Sequence, residues 1–346
     1  MESQKYTIKD IANLAGVSKG TVDRVLHKRG KVSQKSLAAV NKVLDAIDFQ
    51  PNILARSLKN SKVYRICALL PNPEKDIYWQ SCVEGVNQAA SEFKSFGIHI
   101  EIRYFNIESI DSFEKENMSI LNQSPDAVLL APLFQMQSIQ IIEMYHANNI
   151  IVSIFNNQID SKFEINYVGQ ALYKSGRVAA RLMESIIHEK KKLVIIHIDE
   201  ALNNANHMKN KEKGFRSYFD ELTQDAYRIT TLNVKNSELE DALAKYLNDD
   251  TDVSGIFVST SKTYLVANAL QKTNSNVKIV GYDLIEENVK HLKNKSIDYL
   301  IHQNPKQQTY LSIVYLAENF LFDKNIPRQK LLPIDIINSE NVDSYV

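Results

Sequence analysis

The sequence predicts two unlike folded parts in one chain: a small all-α helix-turn-helix domain, then a doubly wound α/β core. Three observations carry this. Residues 7–26, TIKDIANLAGVSKGTVDRVL, read as two short helices joined by a tight turn. From Tyr64 onward, short β-rich runs alternate with amphipathic helical stretches. Charge is also lopsided: residues 1–62 hold 12 Lys and Arg against 5 Asp and Glu, a net of +7, whereas the remainder holds 29 against 36 and nets −7. A chain of zero formal charge thus separates a basic head from an acidic core. A basic head is the electrostatic footprint of a phosphate-binding surface.

Thr7 followed three residues later by Asp10 is a helix start that satisfies unpaired backbone N–H groups, so the first helix begins at Ile8. Ile8, Ile11, Ala12 and Ala15 share one face, and Gly16 supplies the positive φ of a helix stop. Ser18 is the N-cap of a second helix that turns Val22, Val25 and Leu26 inward. Lys19, Gly20, Thr21, Asp23 and Arg24 are left for other work, which is the layout of a recognition helix whose first residues meet base edges in a major groove. Such segments also occur as plain packing corners. Residues 33–48 favour the functional reading, because they supply a third amphipathic helix with Leu37, Val40, Val43, Leu44 and Ile47 as its buried stripe. Residues 50–62, QPNILARSLKNSK, form a boundary at Pro51 and one or two turns capped by Asn52, too short to be a stable helix alone.

In the core, RICALL, HIEIRYF, AVLLA and IIVSIF are each followed by a helical stretch, near 77–96, 109–122, 135–148 and 172–188. KLVIIHI, GIFVS, KIVGYD and IDYLIHQ repeat the alternation. Near-continuous apolar strands imply parallel sheets covered on both faces, with ligands bound outside the strand carboxyl ends. The pattern alone does not separate one lobe from two. Candidate ligand residues stand at those ends: Asp76, Tyr78 and Trp79 after the first strand, Asn156 and Asn157 after the fourth, Gln170 before the 172–188 helix, Asp283 ending GYD, and Gln303 before Asn304 and Pro305.

Other classes are disfavoured. Neither a signal-peptide run at MESQKYTIKD nor ~18 uninterrupted apolar residues of a membrane span are present, so a cytoplasmic protein is expected, with no membrane partner. The two cysteines, Cys67 and Cys82, lack CxxC spacing and read as reduced packing residues rather than a zinc or disulfide framework. GxGxxG after a strand, GxxxxGK[ST] and GxSxG are all absent, so no cofactor and no catalysis are expected. His197 and His207 are the histidines placed near the strand ends, neither with a carboxylate at motif spacing, and Glu200, Asp283 and Glu286 read as ligand contacts or surface.

YTIKDIA from Tyr6, AGVS from Ala15, TVDRVL from Thr21 and PNILARSL from Pro51 resemble the LacI/GalR family of bacterial transcription regulators, and the resemblance runs in order to about Asn338. It implies a helix-turn-helix domain at 1–50, a hinge at 51–62, and a two-lobe core like that of periplasmic binding proteins at 63–346. Lobe 1 is expected at about 63–168 and 305–331, lobe 2 at about 172–300 and 334–346, with crossovers near 168–172, 300–305 and 330–334. Tyr6, Thr7, Ser18, Lys19, Gly20, Thr21, Arg24 and His27 are the implied DNA-binding residues of the head. Lys19 suits guanine O6 or N7, and Gly20 offers only close backbone approach. Asp23 stands where the family has Ser, and a carboxylate there repels phosphate unless it caps a helix group or accepts from a cytosine amine.

In the hinge the resemblance places Asn52, Ala55, Leu58 and Lys59 at DNA, with Leu58 as a wedge in a minor-groove base step once two copies pair. A homodimer on a two-fold operator follows, because one head reads only half of such a site. The implied effector is a small sugar. Tyr78 and Trp79 match aromatic positions that stack on a sugar ring, and Asp283 and Gln303 match positions that bond its hydroxyls. Lys211 replaces an Arg before Gly214 and Phe215, Ser259 and Thr260 replace Asn-Asp, and Ala171 replaces an acidic residue. Lysine cannot fork across two groups as Arg does, which leaves a sugar phosphate, sugar acid or nucleoside open as effector. The resulting expectation is a ligand-responsive repressor of carbohydrate genes; a sugar-binding sensor protein is the alternative.

Overall fold

The computed structural model describes residues 6–26, 30–47, 62–159, 161–187, 192–199, 206–222, 227–249, 252–272 and 277–346. The chain divides into two units, Met1–Asn60 and Ser61–Val346. The first holds helices α1 (Ile8–Ala15), α2 (Lys19–Leu26) and α3 (Gln34–Ala46) around a small core of Ile11, Ala12, Val22 and Val40. Thr7 and Asp10 make the expected reciprocal cap: Thr7 N donates to Asp10 Oδ2 at 2.8 Å and Asp10 N to Thr7 Oγ1 at 3.3 Å. Gly16 has φ +65° and stops α1 in the left-handed region. Two expected core positions differ, since Ile8 and Leu37 are 36% and 41% exposed. In both cases the residue lies in a helix's first turns, beyond the reach of this minimal three-helix core.

The second unit contains two six-stranded sheets. Sheet one takes β1 (Tyr64–Pro71), β2 (Ile98–Phe105), β3 (Ala127–Leu130), β4 (Ile151–Phe155), β5 (Asn166–Gln170) and, from far along the chain, β11 (Gln329–Leu332), in the order β11-β5-β4-β3-β1-β2. Sheet two takes β6 (Lys192–Ile198), β7 (Arg228–Val234), β8 (Val253–Val258), β9 (Lys278–Tyr282), β10 (Tyr299–His302) and β12 (Asp335–Ile337), in the order β12-β10-β9-β8-β6-β7. The helices between them are α4 (Tyr78–Phe93), α5 (Ile110–Gln123), α6 (Gln135–Ala147), α7 (Leu172–Ile186), α8 (Asn206–Glu221), α9 (Leu239–Asp249), α10 (Thr263–Gln271), α11 (Glu286–Lys293) and α12 (Pro305–Phe322). The chain passes between the sheets after Gln170, after His302 and after Leu332.

Among the described residues all pairings are parallel except β10 with β12, a three-residue edge strand entered directly from the third crossover. Strand β7, RITTLNV, has no apolar run and was not expected; its polar, half-exposed character is that of a sheet edge. Along β6 the period of two sends Leu193 and Ile195 to one core and Val194, Ile196 and Ile198 to the other, so sheet two is covered on both faces.

Helices α7 and α8 meet backbone to backbone. A Cβ added at Gly176 would stand 2.0 Å from Lys211 O, and one at Gly214 would stand 1.9 Å from Tyr173 O. This contact fixes the height of α8 over the sheet, and α8 carries Lys211 and Glu212.

Candidate functional sites

In the head, α2 buries Val22 and leaves Lys19, Gly20, Asp23 and Arg24 exposed, so the expected recognition face is turned outward. Ser18 Oγ accepts from Thr21 N at 3.2 Å and lies 2.9 Å from Thr21 Oγ1, which ties both expected contact residues to the start of α2. Helix α2 thus presents one long cation at its first turn, Lys19, and another at its last, Arg24. Tyr6 is half-buried and Thr7 exposed beside the start of α1. His27, Asn52, Ala55, Leu58 and Lys59 lie outside the described residues.

In the second unit the carboxyl ends of the strands carry the expected polar residues, and three of them turn there in the left-handed region: Asn156 (φ +65°), Asp283 (φ +66°) and Asn304 (φ +53°). Asn and Asp tolerate this better than other side chains. The turns bring both sheets' ends together through one buried hydrogen-bonded chain. Asn156 Nδ2 donates to Tyr78 Oη at 2.6 Å, and Asn156 N donates to Gln308 Oε1 at 2.9 Å. Gln308 Nε2 donates to Gln303 O at 2.8 Å, while Gln303 Nε2 and N donate to the Asp283 carboxylate at 2.7 and 3.1 Å. Gln170 Nε2 donates to His302 O at 3.2 Å and to Pro333 O at 2.7 Å, so one side chain at the first crossover holds the second and third.

A second group converges on the end of β8. Lys211, 1% exposed, donates to Ser259 O at 3.0 Å and stands 3.7 Å from the Tyr282 ring centroid. His197 lies between Ser259 Oγ (2.6 Å from Nδ1) and Glu212 Oε2 (2.7 Å from Nε2). Burial pushes the Asp283 carboxyl above the usual carboxylate range, against the opposing pull of Lys211 and the bonds from Gln303. Burial also raises Glu212, but bonds from His197, Thr231 and Arg216 outweigh it and hold that carboxyl at about 2. Burial pushes the Tyr78 hydroxyl well up, with Asp283 adding to the shift.

The remaining expected residues are placed less centrally. Asp76 accepts from Tyr78 N at 3.0 Å and its charge reaches Tyr264 of the other lobe. Trp79 is 4% exposed, packed edge-on against Phe155 and Tyr78 inside the core of lobe 1. Asn157 is buried beside Asn156. Trp79 Nε1, Asn157 Oδ1 and Gln170 Oε1 are buried without a hydrogen-bond partner, an uncommon condition.

Four contributors escape sequence reasoning. Gln308 links Asn156 to Gln303, and Asn288 pins Ser261, Tyr282 and Asp283 through their carbonyls. Tyr167 Oη donates toward Asn156 O and Gln170 O, and Glu212 supplies the carboxylate that His197 lacked in sequence. None stands at a strand end, so only the spacing of Glu212 and Arg216 on one helix face hints at them. Among the described residues, no cluster of His, Cys, Asp and Glu suits a metal ion, and no helix is long and apolar enough to cross a membrane. Both cysteines are buried free thiols, with burial raising Cys67 to about 12 and Cys82 well above its ordinary value.

Residues 7–52 match the family described as bacterial regulatory proteins, lacI family, and residues 67–321 match the periplasmic binding protein domain. The sucrose operon repressor of Streptococcus mutans is 24% identical over 343 residues, 97% of this chain and 99% of that protein. The ribose operon repressor of Lactococcus lactis is 23% identical over 97% of this chain and 98% of its own length. Among solved structures, one described as a LacI transcriptional regulator from Bacteroides fragilis is 27% identical, with a TM-score of 0.76 over 82% of this chain and 100% of that one. A solute-binding protein from Agrobacterium vitis bound with α-D-tagatopyranose is 21% identical, with a TM-score of 0.71 over 81% of this chain and 96% of that one, a likeness of fold. With its helix-turn-helix head and its two-sheet periplasmic-binding-protein domain, the chain belongs to the lacI family of bacterial regulatory proteins.

Proposed function

We propose that this protein is a ligand-responsive repressor of carbohydrate-utilisation genes, binding a two-fold DNA operator as a homodimer in the cytoplasm. The observation that carries this reading is the buried polar chain Tyr78–Asn156–Gln308–Gln303–Asp283, which joins the strand ends of both lobes where a ligand of this fold binds. Full-length relatives are repressors of sucrose and ribose operons, which points to a sugar effector.

The mechanism is linkage. A sugar that bonds Asp283, Gln303 and Asn156 competes with the bonds these residues make to one another, and so shifts the lobes and the spacing of the two heads in the dimer. Coupling on the order of 1 to 3 kcal/mol per site is ordinary for such proteins. The hinge at 51–62, with Leu58 as its minor-groove wedge, is the proposed element that the lobes control.

A hydrolytic reading of Ser259, His197 and Glu212 fails on the geometry. The N–H of Ser259 is bonded to Ile196 O at 3.1 Å, so it cannot help to form an oxyanion hole.

The test is thermal unfolding against mono- and disaccharides, sugar phosphates, sugar acids and nucleosides, followed by operator binding with each stabilising compound. A ligand at ~100-fold its Kd should stabilise by about 2.7 kcal/mol. Asp283→Ala should abolish the ligand response while preserving DNA affinity. A compound that stabilises the core yet leaves operator affinity unchanged would sink the linkage.

A further inference from the structure

The His197 imidazole sits 2% exposed at the end of β6 with both ring nitrogens engaged. On one side Glu212 is anchored by three donors, His197 Nε2 at 2.7 Å, Arg216 Nε at 2.8 Å and Thr231 Oγ1 at 2.6 Å, and Arg216 itself is tied to Ile229 O and Thr231 Oγ1 of β7. A carboxylate so surrounded is ionised and only accepts, so His197 Nε2 carries a proton. With the ring neutral, that is its one N–H, which leaves Nδ1 as an acceptor. The group 2.6 Å from Nδ1 is the Ser259 hydroxyl, whose other partner, Ile196 O, lies at 3.4 Å, beyond good O–H···O range. In that neutral state the Ser259 proton goes to His197.

We propose that Glu212 and His197 are positioning residues that lock the Ser259 hydroxyl as a donor to the imidazole, so that it offers only lone pairs to the effector. At that position the site selects a group that donates, such as a sugar hydroxyl, and rejects carboxylate or phosphate oxygens, which only accept. The selection is strong in principle because a buried acceptor facing an acceptor loses a hydrogen bond and adds repulsion. Lys211 does not reverse it: its ammonium donates to Ser259 O, stands over the Tyr282 ring, and lies within the field of Asp283. This inference rests on the effector reading of the cleft and sharpens it from sugars in general to neutral sugars at the Ser259 end.

The relay is tested first without any ligand. Full-length protein carrying 15N-histidine is measured by long-range 1H–15N correlation at pH 7.5, with the His197 ring assigned through His197→Gln. The expected result is a single Nε2–H tautomer in the wild type and loss of that preference in Glu212→Gln, whose side-chain amide both donates and accepts. An Nδ1–H tautomer or a doubly protonated ring in the wild type overturns the proposal, as does an unchanged tautomer in Glu212→Gln.

Titrations with D-ribose and D-ribose 5-phosphate, and with D-glucose and D-gluconate, then test the consequence. The neutral member of a pair should bind in preference, and Glu212→Gln and Ser259→Ala should each weaken it about ten-fold, one lost hydrogen bond in magnitude. Preference for the anionic member overturns the selectivity. Binding of none of the four counts against the effector reading of the cleft, while the tautomer result still decides the relay. Should Ser259→Ala fail to fold, Ser259→Cys keeps the site filled with a weak donor and is expected to show the same direction of loss.

Discussion

Gly214→Ala is the sharpest perturbation this structure offers. The added Cβ would stand 1.9 Å from Tyr173 O, 2.9 Å from its carbonyl carbon and 3.2 Å from Arg177 N. All three are backbone atoms of α7, so no rotamer change relieves the clash, and the helices must separate by roughly 1.5 Å to reach ordinary contact. A gap of that size forfeits well over half of the dispersion attraction between the atoms it parts, in a core that includes the buried Phe215, Ala179 and Ala180. Overpacking in well-packed cores costs about 1 to 3 kcal/mol, and the upper end applies where only backbone can yield. The separation also lifts Glu212 away from His197, now 2.7 Å apart. In urea unfolding, the midpoint should fall by an amount corresponding to about 3 kcal/mol with the slope unchanged. Gly20→Ala is the contrast, since its Cβ would meet only Ser18 Oγ, at 3.9 Å. There the head should gain up to ~1 kcal/mol of helix propensity. A Gly214→Ala protein within ~0.5 kcal/mol of wild type would refute the backbone-contact argument.

Three further outcomes are expected. The Glu212 carboxyl, held at about 2 against an ordinary 4.5, contributes stability that is fully present above pH ~4.5 and is lost as pH falls toward 2. That slice amounts to about 3 kcal/mol, so Glu212→Gln should flatten the acid limb of a stability-versus-pH curve, and an unchanged limb would remove Glu212 from it. Thr7→Ala, by breaking the reciprocal cap with Asp10, should weaken the head by ~1 kcal/mol, read as faster hydrogen exchange of the α1 amides; equal exchange rates would count against the cap. Gln170→Leu strips the donor shared by His302 O and Pro333 O and should lower the urea midpoint by the equivalent of ~2 kcal/mol or more, whereas an unmoved midpoint would mean the crossovers are held by other contacts.

What the sequence determined by itself was whatever local chemistry dictates. The Thr7–Asp10 cap, the left-handed stop at Gly16 and the Ser18 start of α2 each depend on residues within four positions, and each forms as read. Strands buried on both faces, such as RICALL and KLVIIHI, announce themselves because their central side chains form an unbroken apolar run. The half-exposed edge strand β7 did not, since a mixed polar run without a period of two is indistinguishable from a loop in one dimension.

Ligand residues at strand ends were legible as positions, because a parallel sheet places its polar residues where the strands stop. Their partners were not. Gln308 meets Asn156 across 152 residues and Glu212 meets His197 across 15, pairings set by how helices settle on the sheets. Only the tertiary structure decided that His197 has a carboxylate, that Gln170 holds three crossovers, and that Trp79 packs into the core of lobe 1. Hydrogen bonds act over about 3 Å while sequence separation carries no distance, so which polar groups satisfy one another is settled by packing alone.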